Sequence, residues 1–263
     1  MTYLKKPLSE EIKEKLRKIK DLDSHLVSSI CTKIRMRSIE KTAQINSFRI
    51  EYPSIKIPFS IPKNNGKKMI KEGIKNMGEA FMWGKRNFNP EEIDENFIKQ
   101  IAGKITPELY GNDIAEYREK GTMIKSATIT PPYPEKIRNV EMPWFMKKLK
   151  NYSQKEEDIN KITSAIFAHL HLVRIHPFVD GNGRTSRMLQ DLILDNHRIP
   201  LPIIEPGERG TYYQMLDDAV YSWKHEGERC ARITKAEQDF YNFMGGKINI
   251  SLDKVLDSCY NCM

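Results

Sequence analysis

Two long helical apolar patterns separated by a six-residue break most constrain how this 263-residue chain can fold. From about Glu157 to Ile175, Ile162, Ala165, Ile166, Leu170 and Val173 recur at intervals of three and four. From Asn182 to Asn196, Met188, Leu189, Leu192 and Ile193 do the same. Such spacing puts the apolar residues on one face of each helix, so the two helices are expected to pack into a common core. The first must stop at His176, because Pro177 disfavours helical geometry in the residue before it. A short loop therefore joins two core helices.

The rest of the chain extends the helical reading. Ile12, Leu16, Ile19, Leu22, Leu26 and Ile30 keep a helical spacing and predict one long amphipathic helix with Ser9 as its N-cap. Residues 49–66, with Pro53, Pro58, Pro62 and an Asn-Asn-Gly turn, read as an irregular connection. Helical patterns resume over Met69–Trp83, Glu91–Ala102 and Met142–Tyr152. Gly121–Pro134, rich in Thr and Ile and closed by Pro131-Pro132, reads as a short β-hairpin. The fold class is mainly α, with that hairpin as its β element.

Composition excludes several function classes. No apolar run approaches the roughly 18 residues of a membrane span, so no membrane partner is expected. The N-terminal residues lack the apolar core of a secretory signal, and the expected location is the cytoplasm. A net charge of +8 comes from 43 basic and 35 acidic residues interleaved along the chain, which argues against nucleic acid as the main partner. Of four cysteines, only Cys259 and Cys262 form a C-x-x-C, without the second pair a tetrahedral zinc site needs. Reduced thiols on a loose tail are expected.

The loop itself, His176-Pro177-Phe178-Val179-Asp180-Gly181-Asn182-Gly183-Arg184-Thr185-Ser186-Arg187, concentrates chemistry. It ends at a helix N-terminus, whose first N–H groups lack internal partners and whose dipole favours an anion. Gly181 and Gly183 permit a tight turn and close approach, and Asn182 between them offers an amide. Arg184 and Arg187, three apart, offer planar donor forks to phosphates. Asp180 is a hard oxygen ligand of the kind Mg²⁺ uses beside nucleotide phosphates. His176 is an imidazole, the side chain type suited to general base work, at the mouth of the same loop. Together they point to phosphoryl or nucleotidyl transfer.

These residues match the Fic signature HPFx[D/E]GNGRxxR at every specified position, and the likeness extends over about residues 105–220. The resemblance implies a mainly helical Fic fold with a β-hairpin flap, divided into an N-terminal helical region (1–92), a Fic domain (93–246) and a C-terminal tail (247–263). It implies ATP and Mg²⁺ in the loop and AMP transfer to a Tyr, Thr or Ser hydroxyl of a target protein. In that picture His176 is the general base, Asp180 holds the metal, and Gly181, Asn182 and Gly183 cradle the α- and β-phosphates. Arg184 stabilises the departing pyrophosphate, Arg187 holds the γ-phosphate, and Phe178 anchors the loop in the core.

Further expectations follow from the same likeness. Tyr212 and Tyr213 stand near the nucleotide base, and the flap residues Lys125, Ser126, Ala127 and Thr128 pair with the target's backbone. Glu40, in a helix near residues 30–42, is the candidate inhibitory glutamate that pairs with Arg187. Its surroundings depart from the family's inhibitory pattern at Met36 and Lys41. Self-modification and a homodimer are further expected associations. A deAMPylase, another nucleotidyl or phosphoryl transfer, and a nucleotide-binding regulator remain the alternatives.

Overall fold

A computed structural model describes residues 3–46, 52–53, 66–111, 114–124, 130–227 and 233–262. Its helices are α1 Lys6–Lys20, α2 Ser24–Asn46, α3 Gly66–Asn87, α4 Glu95–Ile105, the short α5 Pro107–Tyr110 and α6 Pro134–Lys136, α7 Met142–Ser153, α8 Asp158–Ile175, α9 Asn182–Asn196, α10 Arg209–Ser222 and α11 Lys235–Tyr260. The mainly α expectation holds.

The expected single N-terminal helix is two. Helix α1 begins at Lys6, with Pro7 in the first turn, where its missing N–H costs nothing. Ser9 is therefore inside the helix rather than its cap, and its hydroxyl donates back to the Lys6 carbonyl. Leu22 falls in the turn between the helices, and Asp23 opens α2 by accepting from the Leu26 N–H at 2.7 Å. Periodicity crossed this boundary because Leu22 and Leu26 stay in phase with α1.

Helix α8 is the axis of the bundle. Expected to bury one face, it is enclosed nearly all round from Ile162 to Ile175, polar residues included. Helix α9 lies against it, and α3 approaches α9 so closely that a Cβ on Gly84 would stand 2.6 Å from Leu192 Cδ1. Helix α2 is fixed to α9 by the Arg35 Nε hydrogen bond to Asp195 Oδ1 at 2.9 Å and by the Ser38 hydroxyl on Asp191 Oδ2 at 3.0 Å.

The expected C-terminal tail is structured. Helix α11 runs from a Thr234–Glu237 capping box through the anticipated boundary near Gly246 to Tyr260. It buries Ile248, Leu252, Val255 and Cys259 against the core, and it packs on α1, so the two ends of the described chain meet. The C-x-x-C is thus anchored: Cys259 is buried and only Cys262 is exposed.

The β structure also differs from expectation. The described strand Thr122–Met123 pairs antiparallel with Tyr52–Pro53, across nearly seventy residues of chain, in the register Tyr52↔Met123 and Pro53↔Thr122. The 121–134 stretch supplies one strand of that pair rather than a hairpin described within itself. The flap residues Lys125, Ser126, Ala127 and Thr128 lie outside the described residues, as does most of the 49–66 connection.

Candidate functional site: the loop between α8 and α9

Helix α8 ends in a sharp reversal. His176 caps it in the left-handed conformation, φ 52° and ψ 56°, which costs a non-glycine residue about 1–2 kcal/mol. What holds this conformation is an arginine from far upstream. Arg118, buried in the core, donates from Nε to the His176 carbonyl at 2.8 Å and from Nη1 to the Lys120 carbonyl at 2.8 Å, and reaches the Pro132 carbonyl through Nη2. Its backbone N–H meets the Pro177 carbonyl at 2.9 Å. Burial lowers its guanidinium to about 10, which leaves it charged at neutral pH.

The loop is closed from inside as well. Phe178 is fully buried and its N–H donates to Asn182 Oδ1, while Asn182 Nδ2 donates to the Phe178 carbonyl, both at 2.9 Å. Asn182 was expected to face phosphate; being fully buried, its amide instead closes the loop on itself. Gly181 adopts φ 81°, and a Cβ there would stand 2.8 Å from Thr106 Cγ2, so both conformation and space require glycine.

Helix α9 starts immediately after Gly181, and no side chain caps it. The N–H groups of Asn182, Gly183 and Arg184 are the first-turn donors without intrahelical partners. Around them stand the charges. Asp180 Oδ2 accepts from Arg184 Nη2 at 3.2 Å, and Asp180 Oδ1 accepts from the Gly181 N–H at 2.5 Å. Arg187 lies deeper, 3% exposed. Its Nη1 donates to the Tyr212 phenol at 2.6 Å, while Nε and Nη2 are buried without a hydrogen-bond partner. Among the described residues, the one N–H of Nε and the two of Nη2 thus stay unspent in a buried guanidinium.

His176 stands at the mouth of the loop. Its Nδ1 faces the Val173 carbonyl at 3.4 Å. A carbonyl only accepts, so in this contact Nδ1 is the donor.

One turn before His176 the chain enters a cavity of about 390 Å³, within the range of small-ligand sites. Val173 and Arg174 line it from α8, Ile124 and Pro132 from the segment before α6, and Tyr213, Leu216 and Val220 from α10. Arg174 is locked into the wall. Its guanidinium lies 3.6 Å from the centre of the Trp223 ring, donates from Nη2 to Glu141 Oε2 at 2.7 Å and from Nε to His171 Nδ1 at 3.2 Å. Burial, and then the Arg174 charge, hold His171 well below the usual histidine range, consistent with a ring that accepts.

The two tyrosines expected near the base keep their rings in contact, 4.9 Å between centroids, but meet different partners. Tyr213 lines the cavity, with the Arg209 guanidinium 5.5 Å from its ring centre. Tyr212 is fully buried and turns its phenol to Arg187. Consecutive residues on a helix point about 100° apart, so two rings in contact can still face different partners.

The expected Arg187–Glu40 pair is not formed. Glu40 Oε1 accepts from Gln44 Nε2 at 2.8 Å, four residues along the same helix. Arg35 and Ser38 define the α2 face that meets α9, and Glu40 lies two residues on, about 200° round from Ser38. One turn after Ser38 that face carries Thr42, which is buried, at the level where α9 carries Arg187. Met36, at the position where the inhibitory pattern has Ser or Thr, is 61% exposed.

Residues that sequence reasoning missed are Arg118, Glu141 and Arg174. Each is a charged residue whose burial depends on partners distant in the chain, and no local pattern marks it.

Comparison with known proteins agrees with this geometry. Residues 92–194 match the Fic/DOC family. A protein adenylyltransferase Fic of Nematostella vectensis is 32% identical over 132 residues, which is 49% of this chain and 29% of that protein. One of Drosophila grimshawi is 42% identical over 120 residues, 45% of this chain and 23% of that protein. The matched stretch thus spans less than a third of either relative. Among solved structures, a Fic domain containing signaling protein from Bacteroides thetaiotaomicron superposes with a TM-score of 0.70 at 20% identity, covering 97% of both chains. A Fic family protein from Desulfovibrio desulfuricans superposes with a TM-score of 0.62 at 18% identity, covering 96% of this chain and 74% of that one. Loop, helices and relatives agree: residues 92–194 of this chain are a Fic/DOC family domain.

Proposed function

We propose that the protein is an adenylyltransferase that moves AMP from ATP to the hydroxyl of a protein side chain. The observation that carries this reading is the buried Arg187 guanidinium with two donor nitrogens, Nε and Nη2, unspent, set behind an uncapped helix N-terminus. Such a pocket favours several phosphate charges in a row rather than one. The cavity lined by Tyr213, Leu216 and Val220 is then the place for the base.

In this reading His176 Nε2 takes the proton of the target hydroxyl while its oxygen forms a bond to the α-phosphorus. The bond from that phosphorus to the bridging oxygen breaks, and pyrophosphate leaves against the α9 N–H groups, Arg184 and Arg187. Gly181 and Gly183 let the backbone approach the α- and β-phosphates. Asp180 is the residue to hold Mg²⁺, which would neutralise phosphate charge. Among the described residues no group of three or more His, Cys, Asp or Glu is gathered for a metal. A single carboxylate suits Mg²⁺ that takes its other ligands from phosphates and water. Arg184, paired here with Asp180, would be the cation left to face the pyrophosphate if that carboxylate held a metal.

The relatives named above are called adenylyltransferases, and another Fic structure with a TM-score of 0.55 is covalently tethered to Cdc42, a protein target. A protein hydroxyl is the acceptor on that analogy, with the flap residues Lys125 to Thr128 as the docking edge and self-modification and a homodimer as further associations. We place the reaction in the cytoplasm, where Cys31, Cys259 and Cys262 stay reduced. No described helix is long and apolar enough to cross a membrane. Hydrolytic removal of AMP, the alternative that relied on Glu40 to place a water, draws no support from a Glu40 bonded to Gln44.

The test is pyrophosphate release from Mg-ATP in the presence of a protein acceptor mixture. AMP transfer releases pyrophosphate in step with adduct formation and depends on His176. Release of inorganic phosphate in its place means phosphoryl transfer or hydrolysis and contradicts the reading.

A further inference from the structure

Behind Arg187, four buried groups stand in line. Gln190 Oε1 lies 2.9 Å from His169 Nδ1, His169 Nε2 lies 2.8 Å from the Tyr212 phenol, and that phenol lies 2.6 Å from Arg187 Nη1. Gln190 and His169 are 1% and 0% exposed, and Tyr212 is fully enclosed.

The direction of every bond follows from the arginine, which can only donate. The Tyr212 oxygen therefore accepts from Arg187, and its own O–H is left to donate to His169 Nε2. A ring that accepts at Nε2 carries its proton on Nδ1, which then donates to Gln190 Oε1. The amide is turned the right way for this, because Gln190 Nε2 faces Asp191 Oδ1 at 3.5 Å. The ring must be neutral, and burial followed by the nearby Arg187 charge lowers it to about 3. Each link thus has one proton arrangement, and the chain ends on a guanidinium whose Nε and Nη2 are unspent.

We propose that Gln190, His169 and Tyr212 are positioning residues that hold Arg187 with Nε and Nη2 presented to the outer phosphates of ATP. This rests on the reading of Arg187 as a phosphate ligand. The physical reason is preorganisation: a free arginine side chain loses about 2 kcal/mol of rotamer entropy when immobilised. A guanidinium already locked by one short hydrogen bond and by the Tyr212 ring, 5.5 Å from its carbon, has lost that freedom before the nucleotide arrives. A bond to a charged partner is strong enough for its removal to cost about tenfold or more in affinity.

The experiment is calorimetric titration of the full chain and its variants with Mg-ATP and, separately, with AMP, which lacks the outer phosphates. Arg187→Ala tests the underlying reading, and it should weaken Mg-ATP at least about tenfold and leave AMP within about twofold. Tyr212→Phe and His169→Leu should reproduce that selective loss, and the double variant should be no weaker than either single one, because the links act in series. His169→Gln, whose amide oxygen can still accept from the phenol, should recover most of the affinity. If Arg187→Ala is selective and Tyr212→Phe is not, the positioning role is wrong while the phosphate role stands. If Arg187→Ala itself leaves Mg-ATP binding intact, the phosphate reading fails and the inference with it. Equal loss of ATP and AMP in Tyr212→Phe means a merely structural role and overturns the proposal. Tyr212→Phe removes one atom and keeps the ring, so it decides the matter should His169→Leu not fold.

Discussion

Arg118 holds the main chain of His176: its Nε donates to the His176 carbonyl at 2.8 Å across 58 residues of sequence. The residue proposed as the base is thereby fixed through its backbone, in a buried position at the end of α8.

Replacing Arg118 by Ala leaves the carbonyls of His176, Lys120 and Pro132 without their donor. A lost buried hydrogen bond leaves a penalty of about 1–3 kcal/mol, and for a chain of this size each kcal/mol moves the melting temperature by about 2–4 °C. The expected outcome is a melting temperature several degrees lower and transfer reduced more than nucleotide binding. Calorimetric melting and a KM-against-kcat comparison check it; unchanged kcat would show that the loop keeps His176 in place without Arg118.

His176→Ala removes the base and spares the anion site. Transfer should fall at least about 100-fold while affinity for Mg-ATP changes little. Near-normal turnover would remove the histidine from the mechanism.

Glu40→Gly tests whether Glu40 acts as a brake. Because Glu40 is bonded to Gln44 and not to Arg187, self-modification by the variant should stay within about twofold of the parent's. A large rise would mean that Glu40 reaches Arg187 in a state other than this one.

Asp191 gives a pH signature. Burial pushes its carboxyl up to about 7 against the opposing Ser38 and Gln190 hydrogen bonds and the Arg187 charge. The folded chain therefore holds this proton where the unfolded chain has released it. Its stabilising contribution is present below the ordinary carboxyl value near 4 and is lost as pH rises through about 7. Asp191→Asn, uncharged throughout, should gain melting temperature relative to the parent between pH 5 and pH 8. A difference that stays flat across that interval would contradict the raised value.

What the sequence disclosed was local. The loop from His176 to Arg187 was legible because its residues are neighbours and their spacing carries the chemistry, and α8 and α9 were legible because their apolar periodicity is strong. Arg118 was not legible, since its acceptors are three carbonyls that only the folded chain brings together. Asn182 misled because an amide in a glycine-rich turn suits phosphate and loop closure equally, and burial decided for closure. The paired tyrosines were legible only as a pair: their rings touch, 4.9 Å between centroids, yet Tyr213 lines the cavity while Tyr212 turns its phenol to Arg187. Residues 247–260 lacked strong punctuation and read as a tail, although Ile248, Leu252, Val255 and Cys259 fill the groove beside the N-terminal helices.

The central claim is most directly tested by incubating the protein with Mg²⁺ and ATP carrying ³²P at either the α or the γ position, and measuring the label retained on protein. AMP transfer predicts retention from the α position alone, abolished by His176→Ala. Retention from the γ position would contradict it and mark the loop as a phosphoryl-transfer site.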